Sequence, residues 1–291
     1  MSYNVDNAII MAAGTSSRFA PLSYEKPKAL IDVKGEVLIE RQIRQLQEAG
    51  ITQIIIVLGY KKEKFYYLKD KYNVILVEND DYLTRNNNGS IYVVRDYLKN
   101  SYICSADNYF TVNPFESCVD DAYYSTLYAN GKTSEWCVEE DTQGYICDVK
   151  VGGSNAWYML GHVFWTAAFS KLFVEILLKE YSIPGTAGLL WEAIYMKHLD
   201  KLKLKVRRYE PEFIFEFDTL DELREFDKTY VNNTRSIILK QVAQELRCIE
   251  SEIKNISAIK SNNTEQIGFE FICDSDKYQY TYEKKELKRV I

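Results

Sequence analysis

The sequence predicts an α/β protein built on a doubly wound, mostly parallel sheet, with a small β insertion and a C-terminal helix–hairpin extension. Three observations carry this. Runs that are apolar on both faces alternate with amphipathic helical stretches, as buried parallel strands require. The chemically unusual loops follow Met11, Leu58 and Cys104, at the carboxyl ends of such runs, where open α/β sheets bind ligands. From about Asn232 the pattern changes to one amphipathic helix and an alternating hairpin.

Taken in order, residues 8–12 form the first apolar strand. Residues 37–49 have helical spacing, with Leu38, Ile39, Ile43 and Leu46 on one side and Gly50 where a C-cap belongs. ITQIIIVLG, residues 51–59, is a fully apolar strand. A helix over 61–72, a strand over 74–77, a helix over 90–99 and a strand over 101–104 follow, the last running into SADNY. Residues 123–169 read as short strands punctuated by Gly144, Gly152 and Gly153. Helices over 166–180 and 188–198, the strand KLKVRRYE and the segment FIFEFDTLDELREF complete a main domain over 1–231. The remaining 232–291 form a small extension, with a helix over 236–253 and the hairpin FEFICDSDKYQYTYEK.

The bulk numbers narrow the function. The 291 residues are 46% apolar and 27% charged, an ordinary globular composition. A net charge of −6 argues against nucleic acid as partner, because that mode needs a net basic face. Six cysteines include no C-x-x-C pair, and no signal peptide opens the chain, so reduced thiols and a cytoplasmic location are expected. The apolar stretch 156–178 contains His162, Ser170 and Lys171 and is broken at Gly161, too short a run for membrane insertion.

The chemistry concentrates in IIMAAGTSSRFAPLSYEKPKAL, residues 9–30. Small residues at Ala12, Ala13 and Gly14 let backbone approach a ligand, and Gly14 can take positive φ. Arg18 supplies a planar fork suited to phosphate oxygens, and Lys28 a point charge for the same anion. Pro21 and Pro27 stiffen the path between them, and Lys26 reads as a surface residue. The spacing is neither G-x-x-x-x-G-K-[ST] nor G-x-G-x-x-G. Asp107 follows an apolar strand, and Asp218 ends another with Glu216 two residues earlier. Such carboxylates suit a hard cation such as Mg²⁺; the competing readings are a turn aspartate at Asp107 and a helix N-cap at Asp218. In TRNNNGSIY, Asn87 and Ser90 could read the edge of a base, or the stretch is a polar loop with an N-cap. The two histidines, His162 and His198, read as structural. No general base is needed if the nucleophile is a phosphomonoester, which is anionic at neutral pH.

AAGTSSRFAPLSYEKPKAL resembles the signature loop of the nucleotidyltransferases that make activated sugars and alcohols, which have a Rossmann-like sheet. The likeness is greatest to the bacterial CTP:phosphocholine cytidylyltransferases, and LIERQI, IIIVLGY, NNNGSIY, SADNYF, SEWCV, GHVFW, LLWEAI and FEFDTLDEL follow in that family's order over residues 5–228. The resemblance implies transfer of CMP from CTP to a small phosphorylated amino alcohol, phosphocholine first, with release of pyrophosphate. It implies that Ala12, Ala13, Gly14, Asn87 and Ser90 meet the nucleotide and that Arg18 and Lys28 grip the triphosphate. Asp107, Asp218 and Glu216 would hold Mg²⁺, with Lys28, Arg18 and Asp107 carrying catalysis. Trp136 and Trp191 match the family's choline pocket, with Glu192 and Tyr109 beside them, since aromatic faces and a carboxylate hold a quaternary ammonium. GTAGLL, before Trp191, carries no acidic or tyrosyl residue, which keeps ethanolamine phosphate and an aminoalkyl phosphonate open as acceptors. A sugar-1-phosphate nucleotidyltransferase and a non-catalytic nucleotide-binding module are the rival readings. IKNISAIKSNNTEQIGFEF, in the extension, is similar to the start of a choline-kinase-type amino lobe, with NNTE as its turn.

Overall fold

The structure, a computed structural model, describes residues 2–261 and 265–290, so most of the NNTE turn lies outside the described residues. Two compact units are present: Met1–Gly14 with Leu38–Glu216, and Thr15–Val37 with Phe217–Ile291. The expected boundary at 231/232 falls inside the second unit, which also takes in most of the signature loop.

The first unit is built on a seven-stranded sheet. Its strands are β1 (Asn7–Ala12), β2 (Ile54–Leu58), β3 (Ile75–Glu78), β4 (Ser101–Ser105), β6 (Tyr123–Glu140), β7 (Ile146–Trp165) and β8 (Lys205–Arg208), while β5 (Asn108–Phe110) lies outside it. The order is β8-β6-β7-β4-β1-β2-β3, and β7 alone runs against its neighbours. Ala8, Ile9 and Ile10 of β1 and every residue of β2 are buried, which is why these stretches read as continuous apolar runs. Helix α2 (Leu38–Glu48) stops in a Schellman motif: Gly50 takes φ 82°, its N–H reaches Gln47 O, and the Ile51 N–H reaches Leu46 O.

Several expected boundaries move. The helix expected over 61–72 divides into a 3₁₀ turn, Lys62–Phe65, and α3, Tyr67–Tyr72. The helix expected from Ser90 starts earlier, as α4 (Asn87–Val93), because the Asn86 side chain accepts from the Asn87 N–H and caps it. The expected short strands of 123–169 are instead one long hairpin of β6 and β7. Gly144 (φ 84°) does lie in the turn that joins the two strands, whereas Gly131 (φ 90°) and Gly152 (φ 79°) sit within them, where the pairing register shifts. Helix α5 (Ala167–Glu180) is capped by Thr166, and α6 (Trp191–Met196) is shorter than its apolar spacing suggests. Strand β9 (Ile214–Glu216) pairs antiparallel with β5, setting Glu216 opposite Asn108.

The second unit contains α1 (Leu22–Glu25), α7 (Leu220–Phe226) and α8 (Ile237–Leu246). Its sheet is four-stranded and antiparallel: β10 (Lys254–Lys260), β11 (Gln266–Cys273), β12 (Asp276–Thr281) and β13 (Glu286–Val290). The expected hairpin is thus the centre of a larger sheet. The expected helix over 236–253 ends at Leu246, where Arg247 turns left-handed (φ 56°). Phe269, Phe271, Tyr280 and Tyr282 are buried on this sheet. No helix among the described residues is long and apolar enough to cross a membrane, and all six cysteines are free.

Candidate active site

Asp107 sits in the two-residue turn between β4 and β5, beyond the carboxyl end of a buried strand. Ser105 Oγ donates to its Oδ1 at 2.8 Å. The turn is clamped by Gln42 of α2, whose amide donates to Ser105 O and Asn108 O, both at 2.8 Å. Gln42 is buried, and Gln45 and Arg41 hold Phe110 O in the same way. On the opposing strand, Asn108 Nδ2 donates to Glu216 Oε2 at 3.4 Å. Asp107 thus directly precedes Asn108, the residue that Glu216 faces across the strand pair.

Beside this pair opens a cleft of about 220 Å³ in the first unit. Its walls include Asn87, Asn108, Tyr124, Glu135, Trp136, Trp191, Glu192 and Glu216, and no lysine or arginine lines it among the described residues. Trp136 is half-buried and presents surface to the cleft. Trp191 is only 1% exposed: it stacks behind Tyr124 (centroids 5.9 Å, planes 14° apart) and packs edgewise on Trp165 and Phe173. Its contribution is to fix the Tyr124 ring more than to offer a face of its own. Burial pushes the Glu192 carboxyl up to about 7, against hydrogen bonds from Asn87 Nδ2 (3.1 Å) and Tyr124 OH (3.4 Å). Gly161 lines the same cleft at φ 100°, and a Cβ there would lie 2.9 Å from Ile214 Cδ1 and Ser125 Oγ.

The signature loop keeps its charges together in the second unit. Arg18 Nη1 lies 2.7 Å from Asp218 Oδ2, and Lys28 Nζ lies 4.0 Å from Asp218 Oδ1. Arg18 is exposed, whereas Lys28 is 4% exposed and lies 5.7 Å over the Phe19 ring. Asp218 does not end its strand, which stops at Glu216, and it is not the cap of α7. Thr219 caps that helix, in a capping box with Glu222, whose Oε2 also accepts from the Asp218 N–H at 2.6 Å. Gly14 does not adopt positive φ; Ser16 does, at 48°. Lys26 is exposed.

Other expected residues stand differently. Asn87 turns toward α6: its Oδ1 accepts from the Trp191 N–H at 2.6 Å while its Nδ2 holds Glu192. Ser90 is buried, with Asn79 Nδ2 donating to its Oγ at 3.3 Å. Tyr109 lies outside the cleft wall, buried with the Arg41 guanidinium 4.6 Å over its ring. Ala12 and Ala13 are buried at the end of β1, where Ala13 O accepts from the Tyr60 N–H at 3.1 Å. His162 is fully buried, its Nε2 meeting Tyr123 OH at 2.9 Å, and burial pushes its pKa down to about 3. His198 pairs with Glu180 at 2.7 Å. Gln42 and Tyr124 escaped the sequence reading. Gln42 left a signal there, a polar residue on the apolar side of LIERQI.

Residues 8–114 match the MobA-like NTP transferase domain. A 2-aminoethylphosphonate cytidylyltransferase of Lancefieldella rimae is 37% identical over 79% of this chain and 95% of its own length. A choline-phosphate cytidylyltransferase of Streptococcus pneumoniae is 36% identical over 77% of this chain and 98% of its own. The chain belongs to the cytidylyltransferase family. The solved structure of the CTP:phosphocholine cytidylyltransferase from Streptococcus pneumoniae superposes with a TM-score of 0.74, covering 78% of this chain and 99% of that one. An inositol-1-phosphate CTP transferase from T. maritima, 15% identical with a TM-score of 0.58, shares the fold. The family is consistent with the α/β architecture described above.

Proposed function

We propose that this enzyme transfers CMP from CTP to a small phosphorylated amino alcohol, with phosphocholine as the first acceptor. The observation that carries the acceptor class is the cleft: the carboxylates of Glu135 and Glu192, with the rings of Tyr124 and Trp136, and no cationic side chain among the described lining. That lining suits an ammonium group through charge and cation–π attraction, and suits a sugar phosphate poorly. An acceptor phosphate oxygen attacks the α-phosphorus of CTP in line. The new P–O bond forms as the bond to the β-phosphate oxygen breaks, and pyrophosphate leaves with that electron pair. The acceptor phosphate is largely dianionic at neutral pH, so positioning and charge neutralisation suffice. Arg18 and Lys28 meet the triphosphate, and Asp218 holds the two cations ready until the anion arrives.

Asp107 and Glu216 present only hard oxygen donors, one held by Ser105 and the other by Asn108, and so fit Mg²⁺. Among the described residues no three acidic, histidine or cysteine side chains gather as a cage, and Mg²⁺ usually takes one or two carboxylates plus phosphates. Bound there, it would supply positive charge against the developing charge of the triphosphate. Asp218, engaged by Arg18 and Lys28, is the weaker candidate ligand. The free cysteines and the need for CTP support a cytoplasmic location.

A primary ammonium acceptor, 2-aminoethylphosphonate, is the second reading. Asn108 Oδ1 is buried without a hydrogen-bond partner at the cleft wall, and Glu135 and Glu192 add further acceptors. An –NH₃⁺ group can satisfy them, and a trimethylammonium cannot. The test is pyrophosphate release from CTP and Mg²⁺ with phosphocholine, phosphoethanolamine, 2-aminoethylphosphonate and a set of sugar 1-phosphates. Turnover confined to the sugar phosphates would overturn the proposal. Asp107→Ala and Lys28→Ala should abolish release in folded protein.

A further inference from the structure

Three consecutive residues of α1 each grip a different element of the C-terminal extension. Ser23 Oγ and Gln266 Oε1, on β11, lie 3.4 Å apart. The Tyr24 ring stacks on Tyr282, just past β12, with centroids 3.6 Å apart and planes within 10°. The Glu25 carboxylate accepts from the Ile237 N–H (2.8 Å) and the Ile238 N–H (3.1 Å), the first two residues of α8. It satisfies donors that the helix leaves open and sits at the positive end of the helix dipole. Two further contacts bracket this stretch. Gln266 Nε2 donates to Thr15 O at 3.3 Å, and Arg235 Nη1 reaches Asp32 Oδ1 at 3.0 Å. Arg18 and Lys28 lie between these attachments. All of the contacts belong to one compact unit, in which the signature loop and the extension are a single body.

The alignment with the Streptococcus pneumoniae relative takes in 98% of that protein but 77% of this chain. The motifs shared with the family end near residue 228, before α8 and the four-stranded sheet begin. A stretch without a counterpart in that relative thus embraces the loop that carries the family's signature.

We propose that the C-terminal extension positions the nucleotide loop, with Tyr282 and Gln266 as positioning residues for Arg18 and Lys28. This rests on the reading of that loop as the CTP site. A loop held in its binding geometry need not be ordered by its ligand, so the free energy of CTP binding is not spent on ordering it. The coupling runs both ways: whatever CTP gains from the extension, the extension gains in rigidity from CTP.

The experiment uses the full chain. CTP affinity with Mg²⁺ and no acceptor is measured by calorimetry for the wild type, Tyr282→Phe, and the double variant Tyr282→Leu with Gln266→Ala. The acceptor KM is measured at saturating CTP. The double variant should bind CTP about tenfold more weakly with its acceptor KM unchanged, within the usual range for coupled sites. Tyr282→Phe, which keeps the stack, should retain wild-type affinity. Purely structural damage would move both constants, and that result, or wild-type CTP affinity in the folded double variant, overturns the proposal. Hydrogen exchange on the unmodified chain keeps the test open if the variants fail to fold. CTP should slow exchange in β11 and β12 as well as in residues 15–28, and protection confined to 15–28 overturns the coupling. A wild-type chain that binds no CTP overturns the nucleotide reading together with this one; wild-type binding with indifferent variants overturns this one alone.

Discussion

Replacing Glu192 by glutamine should flatten the pH dependence of acceptor binding. The Glu192 carboxyl is raised to about 7 by burial in the wall of the cleft proposed for the cationic acceptor. With that value, about a tenth of the molecules carry the carboxylate at pH 6 and about nine-tenths at pH 8. A cationic acceptor binds the ionised form, and its apparent affinity scales with the competent fraction. The acceptor KM should therefore fall about tenfold more between pH 6 and pH 8 in the wild type than in Glu192→Gln. The acceptor's own phosphate titrates near pH 6, but it does so against both proteins, so the ratio of the two profiles isolates Glu192. Steady-state pyrophosphate release at saturating CTP provides the numbers. Parallel profiles would refute the reasoning. Stability moves the opposite way: a carboxyl whose pKa rises on folding contributes most below its unfolded value, and that contribution is lost as pH rises through about 7. Added acceptor should restore melting temperature most strongly above pH 7, because the cation replaces the missing neutralisation.

Gln42→Ala removes two 2.8 Å hydrogen bonds to carbonyls flanking Asp107, which should destabilise the protein by about 2–5 kcal/mol and lower kcat more than it raises the CTP KM, as read by denaturant melts and initial rates. Gly161→Ala forces a Cβ onto φ 100° and should cost about 1–3 kcal/mol, with a raised acceptor KM; unchanged melting would contradict the strain. Arg18→Ala breaks only an exposed ion pair, worth about 0–1 kcal/mol, so the melting temperature should hardly move while the CTP KM rises.

Much of the first unit was legible because strands buried on both faces leave continuous apolar runs, as in β1, β2 and β4. The Asp107 turn was legible for a related reason: an acidic residue directly after such a run has nowhere to go but the strand end. The long hairpin was not, because glycine marks a bulge and a strand end with the same letter, and only pairing register tells them apart. The contacts of Asn87 with α6 were not legible, because an amide says nothing about its partner until that helix supplies the Trp191 N–H and the Glu192 carboxylate. Trp191 looked like a ring for a ligand, yet composition cannot distinguish a face in a cleft from one pressed against Tyr124, Trp165 and Phe173. The union of residues 15–37 with the tail was hidden most deeply, since it joins segments some two hundred positions apart.

The β6–β7 hairpin has a bearing on how such enzymes diversify. Tyr124, Glu135, Trp136, Met159 and Gly161 all come from this one excursion of the chain, while Arg18, Lys28 and Asp218 are held in the other compact unit. On the proposed reading, substitutions along the hairpin would retune which amine is accepted and leave the residues proposed for the triphosphate alone. A lineage could drift between quaternary and primary ammonium acceptors through a handful of changes in a single stretch, keeping CTP as its constant donor. Hairpin exchange between relatives should carry acceptor preference with it.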